Sequence, residues 1–255
     1  MIFMAHGIDD ATLTVTTGTA HASYPVDNLK SRVIGKLFKT STDSQVVVKI
    51  DFGAARSCNA ISLINSNYDD SCTIKYGTAD NGSDFENTAG SNFAPDPDQW
   101  GFYTSFLAFE AGAVSKRYWQ LDCDNWGTVN YLGGIYLGAY YETPYNCGYS
   151  FGRGYSYGIQ SNVTRGGIDL RYRLHAKKYI EQNLKFQGFS DAQVDTFLAY
   201  FNDSEKCYGT LYPFVFLPDG ETFGAHVGYF TNKDLVFKKI TGDYNEITLG
   251  IVQQL

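Results

Sequence analysis

Three pairs of carboxylates stand close enough in the sequence to suggest acid–base chemistry: Asp69 with Asp70, Asp96 with Asp98, and Asp122 with Asp124. General acid–base catalysis needs one protonated and one ionised group, and hence two unequal environments. Solvation in turns and at strand edges is the simpler explanation of all three pairs. The four histidines are scattered, and the chain has neither an HExxH nor a GxSxG motif. We therefore predict that the protein is not an enzyme.

The segment "NSNYDDS", residues 65–71, gathers side-chain oxygens of the kind that bind calcium. Its spacing does not follow the EF-hand pattern. Calcium is therefore the one ion that the sequence leaves open, and no other cofactor is predicted.

The stretch "GYSFGRGYSYG", Gly148 to Gly158, could be a phosphate-binding loop, a nucleic-acid-binding segment or a joint between two domains. A phosphate loop of the dinucleotide type has the spacing G-x-G-x-x-G before a helix, whereas here the spacing is G-x-G-x-x-x-G and no helical pattern follows. An RNA-binding segment of the RGG type needs repeats and basic surroundings, and this stretch holds one arginine. We interpret it as an aromatic-rich joint.

Charge and composition exclude several classes of protein. The net charge is −7, which argues against nucleic-acid binding, since that needs clustered Lys and Arg. No apolar run approaches the length of a membrane span, and the amino terminus lacks a signal-peptide pattern. We expect synthesis in the cytoplasm, without secretion. The cysteines are widely spaced with no CxxC motif, so reduced and mostly buried thiols are expected at Cys58, Cys72, Cys123, Cys147 and Cys207.

The first half of the chain reads as short strands separated by turns. The segments "QVVVKIDFG", "NAISLINS", "CTIKYGT", "GFYTSFLAFE" and "YLGGIYLGAYYE" have strand length and no helical period. Acidic residues outnumber basic ones by 15 to 9 in residues 1–141 and by 12 to 11 in residues 142–255, so the charge balance changes near the middle. This pattern predicts a β-sandwich followed by a second module.

The second half carries the one strong helix signal, "FSDAQVDTFLAYFNDSEK". Ser190 as N-cap with Gln193 three positions later forms a capping-box pattern. Apolar residues then recur at helical spacing, which predicts an amphipathic helix at about residues 191–203. The preceding strand is expected to place Ile180, Leu184 and Phe186 on one face, and a tight turn at 242–243 to join the last two strands.

Several first-half segments resemble, in content and order, the discoidin or coagulation-factor type C domain. They are "ASYPVDNLKS", "VVVKIDFGAARSCNAISLINSN", "CTIKYGTADNGSDF", "KRYWQLDC" and "YLGGIYLGAYYE", within residues 20–141. The resemblance implies a mainly β fold whose N-terminal part is a galactose-binding-like β-sandwich, or jelly roll. A β-rich domain with one amphipathic helix would follow it. The terminal disulfide common in animal members has no evident cysteine pair here.

The order of segments along the whole chain resembles minor tail or tail-tip (baseplate) structural proteins of long-tailed bacteriophages. A "YPVDNL" opening and the sandwich precede "ETPYN", "SNVTRGG" and "LKFQGFSDAQVDTFLAYF". This resemblance implies three parts: a discoidin-like sandwich at 1–141, a Gly/Tyr-rich joint at 142–165 and a β-rich tail-docking domain at 166–255. It also implies a non-enzymatic virion component that contacts other tail or baseplate proteins and forms a homo-oligomer on the tail axis.

A role in host recognition would place cell-surface glycan among the ligands, and a stand-alone discoidin-type lectin is the alternative. The discoidin resemblance implies that loops at one end of the sandwich bind the ligand. Aromatic rings would stack on sugar faces while amide and carboxylate oxygens accept hydroxyl hydrogen bonds. Alternatively, Trp100, Phe102 and Tyr103 could belong to the core or to a subunit contact. The candidate residues are Asn65, Asn67, Tyr68, Asp69, Trp100, Phe102 and Tyr103.

Overall fold

The computed structural model describes residues 1–33, 35–41, 45–67, 72–77, 85, 87–91, 96–97, 103–124, 131–145, 152–156, 159–163, 169–173, 178–203, 206–218 and 225–254. For residues 96–97, 103, 152–156, 162–163, 169–173 and 178–179 it describes the backbone alone.

Among its described residues, the first part of the chain contains thirteen strands and a short 3-10 helix at Val26–Lys30. The strands are β1 (Ile2–Met4), β2 (Thr12–Thr17), β3 (Phe38–Lys39), β4 (Val46–Cys58), β5 (Ala60–Ile64), β6 (Cys72–Gly77), β7 (Asn87–Ser91), β8 (Asp96–Pro97), β9 (Tyr103–Ala108), β10 (Val114–Cys123), β11 (Tyr131–Leu132), β12 (Gly134–Gly138) and β13 (Tyr140–Glu142).

The second part contains eight strands and, within the described ranges, one α-helix. The elements are β14 (Gly152–Ser156), β15 (Ile159–Val163), β16 (Asp169–Arg173), β17 (Lys178–Phe189), α1 (Asp191–Asn202), β18 (Phe214–Leu217), β19 (His226–Phe230), β20 (Lys238–Thr241) and β21 (Tyr244–Gln253). The predicted fold class, mainly β with a sandwich in the first half and one helix in the second, is confirmed.

Two sheets form the sandwich of the first half. A five-stranded sheet runs in the order β2-β4-β10-β6-β7, and a four-stranded sheet in the order β12-β5-β9-β8. Their facing side chains share one core, with Trp119 and Ile50 from the larger sheet and Leu63 and Leu137 from the smaller. Burial of such large apolar side chains is the main stabilising contribution to a sandwich of this kind.

A third sheet covers the outer face of the four-stranded sheet. It has eight strands, in the order β13-β1-β18-β19-β21-β17-β14, with β20 pairing to β21. Ala60, Ile64 and Tyr136 of the four-stranded sheet pack against Met4 and Val215 of this sheet. The four-stranded sheet is thus a middle layer, which explains why every residue of β5 and β12 is buried instead of every second one.

Helix α1 forms the fourth layer, on the far face of the eight-stranded sheet. The capping box is confirmed: Gln193 N donates to Ser190 Oγ at 3.3 Å, and Ser190 N donates to Gln193 Oε1 at 2.9 Å. Phe197 and Phe201 are buried in an aromatic cluster that also includes Phe3 from β1. The helix therefore packs on strands that come from both ends of the sequence.

The eight-stranded sheet joins the two halves of the chain. Strand β1 pairs with β13 on one side and with β18 on the other, so residues 2–4 and 214–217 are neighbours. Part of the predicted joint is sheet as well, since residues 152–156 form β14 and pair with β17. The domain boundaries drawn from the sequence, 1–141, 142–165 and 166–255, stay a prediction.

The face pattern predicted for β17 is wrong at one residue. A β-bulge between Glu181 and Leu184 inserts an extra residue opposite β21, and Asn183 takes a left-handed backbone conformation with φ of 59°. Leu184 and Phe186 are buried, whereas Ile180 is only half-buried and lies on the other face. The insertion changes which side chains alternate into the core, and its position was not visible in the apolar pattern.

The remaining local predictions agree with the structure. The turn that joins β20 to β21 is formed by Gly242 and Asp243, with Gly242 at a φ of 51° as a type II′ hairpin turn requires. Within the described residues the cysteines are free thiols, and all of them are buried, as expected for Cys58, Cys72, Cys123 and Cys207. Cys147 lies outside the described residues.

Candidate functional site

The sequence-predicted site residues fall on two loops, of which the structure describes a part. Asn65 and Asn67 follow β5 and are described, while Tyr68, Asp69, Trp100 and Phe102 lie outside the described residues. Tyr103 is the first residue of β9, where the backbone alone is described. The geometry of the candidate site is therefore given by the strands that hold these loops.

Those strands bring the two loops to the same end of the sandwich. In the four-stranded sheet Leu63, near the end of β5, pairs with Ser105, near the start of β9. The chain therefore leaves β5 and enters β9 at the same end of the sheet. Strand β10 finishes at the same end of the sandwich. Its last residue, Cys123, lies opposite Cys72, which is the first residue of β6 and follows the loop after β5. The segment after β5, the segment after β10 and the segment before β9 therefore all meet the strands at this end of the sandwich.

The segment 65–67 is fastened to the segment 131–133. Asn65 adopts a left-handed backbone with φ of 49°, which turns the chain out of β5. Gly133 N donates to the carbonyl oxygens of Ile64 at 2.7 Å and of Asn65 at 3.2 Å. Tyr131 N donates to Asn67 Oδ1 at 2.7 Å, and Asn67 N donates back to Tyr131 O at 3.3 Å. The amide oxygen of Asn67 is thus engaged in holding two loops together, a positioning role that the sequence did not indicate.

Of the three carboxylate pairs considered for acid–base chemistry, the structure describes the side chains of one, Asp122 and Asp124. Asp122 accepts a hydrogen bond from Gln45 Nε2 at 2.7 Å and forms an ion pair with Lys75 at 3.0 Å. Its oxygens are therefore held by side chains of neighbouring strands. Asp124 is exposed at the end of β10. The other two pairs lie outside the residues whose side chains are described.

A charged network connects the first half to the second. Asp9 accepts two hydrogen bonds from Arg32, at 3.2 Å from Nε and 2.6 Å from Nη2, and His6 Nδ1 lies 3.1 Å from Asp9 Oδ1. Burial alone would raise the pKa of Asp9, but the hydrogen bonds from His6 and Arg32 outweigh it and hold that pKa well below its ordinary value. The guanidinium of Arg32 also stacks on the Tyr212 ring, 3.6 Å from its centroid. The network therefore links residues 6–32 to Tyr212 in the second half of the chain.

Two clefts open on the described surface. One, of about 290 Å³, lies at the β17 bulge and is lined by Gln182, Asn183, Thr231, Asn232 and Gly250 among others. The other, of about 230 Å³, lies where the halves meet and is lined by residues that include Arg56, Asp203 and Lys206.

The described ranges contain no group of three His, Cys, Asp or Glu side chains placed to hold a metal ion. The segment proposed for calcium, residues 65–71, lies partly outside these ranges. Helix α1 is not a membrane span, and the described part of the chain has no helix long and apolar enough for one.

The chain is similar to known proteins in structure but not in sequence. No protein-family model matches the chain, and no curated protein matches it in sequence. Among solved structures, the family 32 CBM of Clostridium perfringens NanJ in complex with galactose is 12% identical, with a TM-score of 0.43 over 55% of this chain and 99% of that one. Chitosan-binding module 1 from a chitosanase/glucanase of Paenibacillus sp. IK-5 is 14% identical, with a TM-score of 0.43 over 53% of this chain and 98% of that one. SpGH29 is 13% identical, with a TM-score of 0.42 over 55% of this chain, and the match spans 28% of its length.

Proposed function

We propose that the sandwich of the first half binds carbohydrate through the loops at the end where β5 finishes and β9 begins, without catalysing a reaction. The observation that supports this proposal is the pairing of Leu63 with Ser105, which puts the end of β5 and the start of β9 at the same end of the four-stranded sheet. A binding site needs groups from separate segments to converge, and this register provides that convergence.

The residue types on these loops suit a neutral, hydroxyl-rich ligand. Trp100 and Phe102 offer ring faces, and Asn65 and Asp69 offer oxygen acceptors. Asn67 has a different part in this proposal, because its amide oxygen already accepts from Tyr131 N. We assign it to holding the loop in place.

Calorimetric titration of the full chain with galactose and with chitosan oligosaccharides tests the proposal. These probes correspond to the ligands in the descriptions of two structurally similar modules. Binding to either probe is expected, with affinity reduced at least about tenfold in Trp100→Ala and in Asn65→Ala. Tyr244→Ala is the matched control, since Tyr244 is an exposed aromatic residue of the eight-stranded sheet, away from these loops. Absence of binding to both probes, or equal loss in the control, contradicts the proposal.

A second proposal concerns the biological setting of the protein, a bacteriophage tail tip or baseplate. We infer that the second half docks to other tail proteins while the sandwich braces the assembly or contacts host-surface glycan, as a homo-oligomer on the tail axis of the virion. The order of segments along the sequence supports this reading, and so does the stacking of three sheets and a helix. Shared cores between the layers favour one stiff body, as a load-bearing part requires.

Electron microscopy of intact particles with a gold-labelled antibody against this chain distinguishes a tail-tip or baseplate component from a stand-alone lectin. Label at the distal end of a tail is expected for a tail-tip component. A soluble protein that labels no particle overturns the tail assignment and leaves a stand-alone lectin, whose test is the titration described above.

A further inference from the structure

Two cysteines lie face to face inside the sandwich. Cys72 and Cys123 are register partners on the neighbouring antiparallel strands β6 and β10, and their Sγ atoms are 2.9 Å apart. Both side chains are fully buried in the core between the two sheets. Fifty-one positions separate them in the sequence, so only the fold brings them together.

This placement suits a disulfide bond. Residues directly opposite each other in an antiparallel pair have Cα atoms about 4.5–5.5 Å apart, within the range of about 4.4–6.8 Å found for disulfide-linked residues. Bond formation needs the sulfurs to approach by about 0.9 Å more, to the usual length of about 2.0 Å, which small side-chain rotations can supply. The strands themselves would keep their register.

We propose that Cys72 and Cys123 are a specific oxidation site, which a small-molecule disulfide such as oxidised glutathione converts into a cross-strand disulfide bond. The thiolate of one cysteine attacks the glutathione disulfide, forms a mixed disulfide and releases one glutathione thiolate. The second cysteine thiolate then attacks the protein sulfur of the mixed disulfide and releases the second glutathione. The two protein thiols lose two electrons and two protons in all, and oxidised glutathione becomes two reduced molecules.

The other two cysteines that the structure describes lack this arrangement. Cys58 lies at the far end of β4 and its Sγ is 3.9 Å from the backbone oxygen of Arg56, while Cys207 is buried in the second core. No second sulfur contact is found among the described residues. Selective oxidation of Cys72 and Cys123 therefore follows from the pairing of β6 with β10.

The closed sandwich protects the pair from oxidation. Burial, and next the neighbouring Cys72 thiol, raise the pKa of Cys123, so little Cys123 thiolate is present while the strands are closed. Cys72 is the first residue of β6 and Cys123 is the last of β10, so both sit at strand ends. Strand ends open at lower free energy than strand centres. Oxidation is thus expected during folding or local opening, and slowly in the native protein.

Once formed, the bond links two strands of the five-stranded sheet and closes a loop of about fifty residues, which restricts the unfolded chain. We expect the melting temperature of the full chain, refolded with oxidised glutathione, to exceed that of the reduced chain by about 5–15 °C. Peptide mapping without reduction should show one cross-linked pair of peptides that contain Cys72 and Cys123, lighter by two hydrogens than the separate peptides.

Cys58→Ser is the matched control, since Cys58 is a buried cysteine of the same core. It should keep the difference between oxidised and reduced melting temperatures, whereas Cys72→Ser should abolish it. Mapping of the unaltered chain does not depend on whether the variants fold. Five free thiols after refolding with oxidised glutathione, or a link that uses Cys58, Cys147 or Cys207, overturns the proposal.

Discussion

The hydroxyl of Tyr200, on helix α1, accepts a hydrogen bond of 2.8 Å from the backbone amide of Ala5, just after strand β1. The same hydroxyl lies 3.0 Å from the carbonyl oxygen of Ala139 and 3.2 Å from that of Phe3, and its single proton is donated to one of them. Tyr200 is 8% exposed, so these groups have little access to water. The helix is therefore fastened to the two segments that border β1 and β13.

Removing this hydroxyl tests how firmly the halves are joined. Tyr200→Phe keeps the ring but leaves the buried amide of Ala5 without its acceptor. A buried backbone group that loses its partner costs about 1–3 kcal/mol. We expect the free energy of unfolding to fall by about that amount, measured by urea denaturation. Tyr244→Phe, at a residue that is 56% exposed, should change it by less than about 0.5 kcal/mol. Equal effects in the two variants would mean that the Tyr200 hydroxyl does not join the halves.

The ion pair of Asp9 with Arg32 predicts a stability that depends on acid pH. The pKa of Asp9 in the folded chain lies below 3.8, its ordinary value. Its contribution is therefore fully present above about pH 5 and is lost as the pH falls below about 4 towards the folded value. At pH 7, Asp9→Asn is expected to lower the free energy of unfolding by about 1 kcal/mol, because water screens the partly exposed carboxylate, and the difference from the unaltered chain should shrink at pH 3.

The neighbouring exposed Asp10 provides the control for this measurement. Asp10→Asn should leave stability within about 0.5 kcal/mol at pH 7. Denaturant titrations at pH 3, 5 and 7 on all three chains give the comparison. A difference between Asp9→Asn and the unaltered chain that stays constant over this range would exclude the ionised Asp9 carboxylate as its source.

Two glycines with the same backbone conformation should respond differently to a methyl group. Gly7 and Gly53 have φ of 78° and 73°, so alanine at either position is strained by about 1–2 kcal/mol. A Cβ atom at Gly7 would also collide with the carbonyl oxygen of Leu137, whereas at Gly53 the space is open. Thermal and urea denaturation should show a loss of about 2–5 kcal/mol for Gly7→Ala and about 1–2 kcal/mol for Gly53→Ala. Similar losses would show that β12 moves away from Gly7 without cost.

The bulge in β17 offers a stabilising substitution. Asn183 has a φ of 59°, a conformation that glycine adopts without steric strain. We expect Asn183→Gly to leave the free energy of unfolding unchanged or to raise it by up to about 1 kcal/mol. Asn183→Val should lower it by about 1–2 kcal/mol, because a β-branched side chain disfavours this conformation. Equal stability of the two variants in chemical denaturation would mean that the bulge shifts to another residue.

Features set by neighbouring residues could be predicted from the sequence. Ser190 and Gln193 are three positions apart, so the capping box and the start of α1 are visible in a short window. The turn at Gly242 follows from a local backbone requirement in the same way. Strand lengths and turns were also enough to predict the mainly β class, because the alternation of apolar and polar residues and the turn residues between strands are local signals.

Features set by distant residues could not be predicted. Nothing near Ile2 indicates that β1 pairs with β18, more than two hundred positions away. The meeting of Cys72 with Cys123 depends on the register of β6 against β10, which a single sequence does not determine. The same applies to the positioning role of Asn67, whose partner Tyr131 is 64 positions distant. Of the candidate site, the residue types could be proposed from the sequence, and the arrangement of the strands that hold them could not.

The position of β1 affects how the protein is made. Residues 2–4 leave the ribosome more than two hundred residues before their partner strand at residues 214–217. At translation rates of about 5–20 residues per second, β1 waits about 10–40 s for that partner. Until β18 and β19 are made, Ala60, Ile64 and Tyr136, on the outer face of the middle sheet, lack the part of their cover that Val215 and Val227 provide. The nascent chain therefore exposes an apolar surface, and its yield should depend on chaperones that bind such surfaces during synthesis.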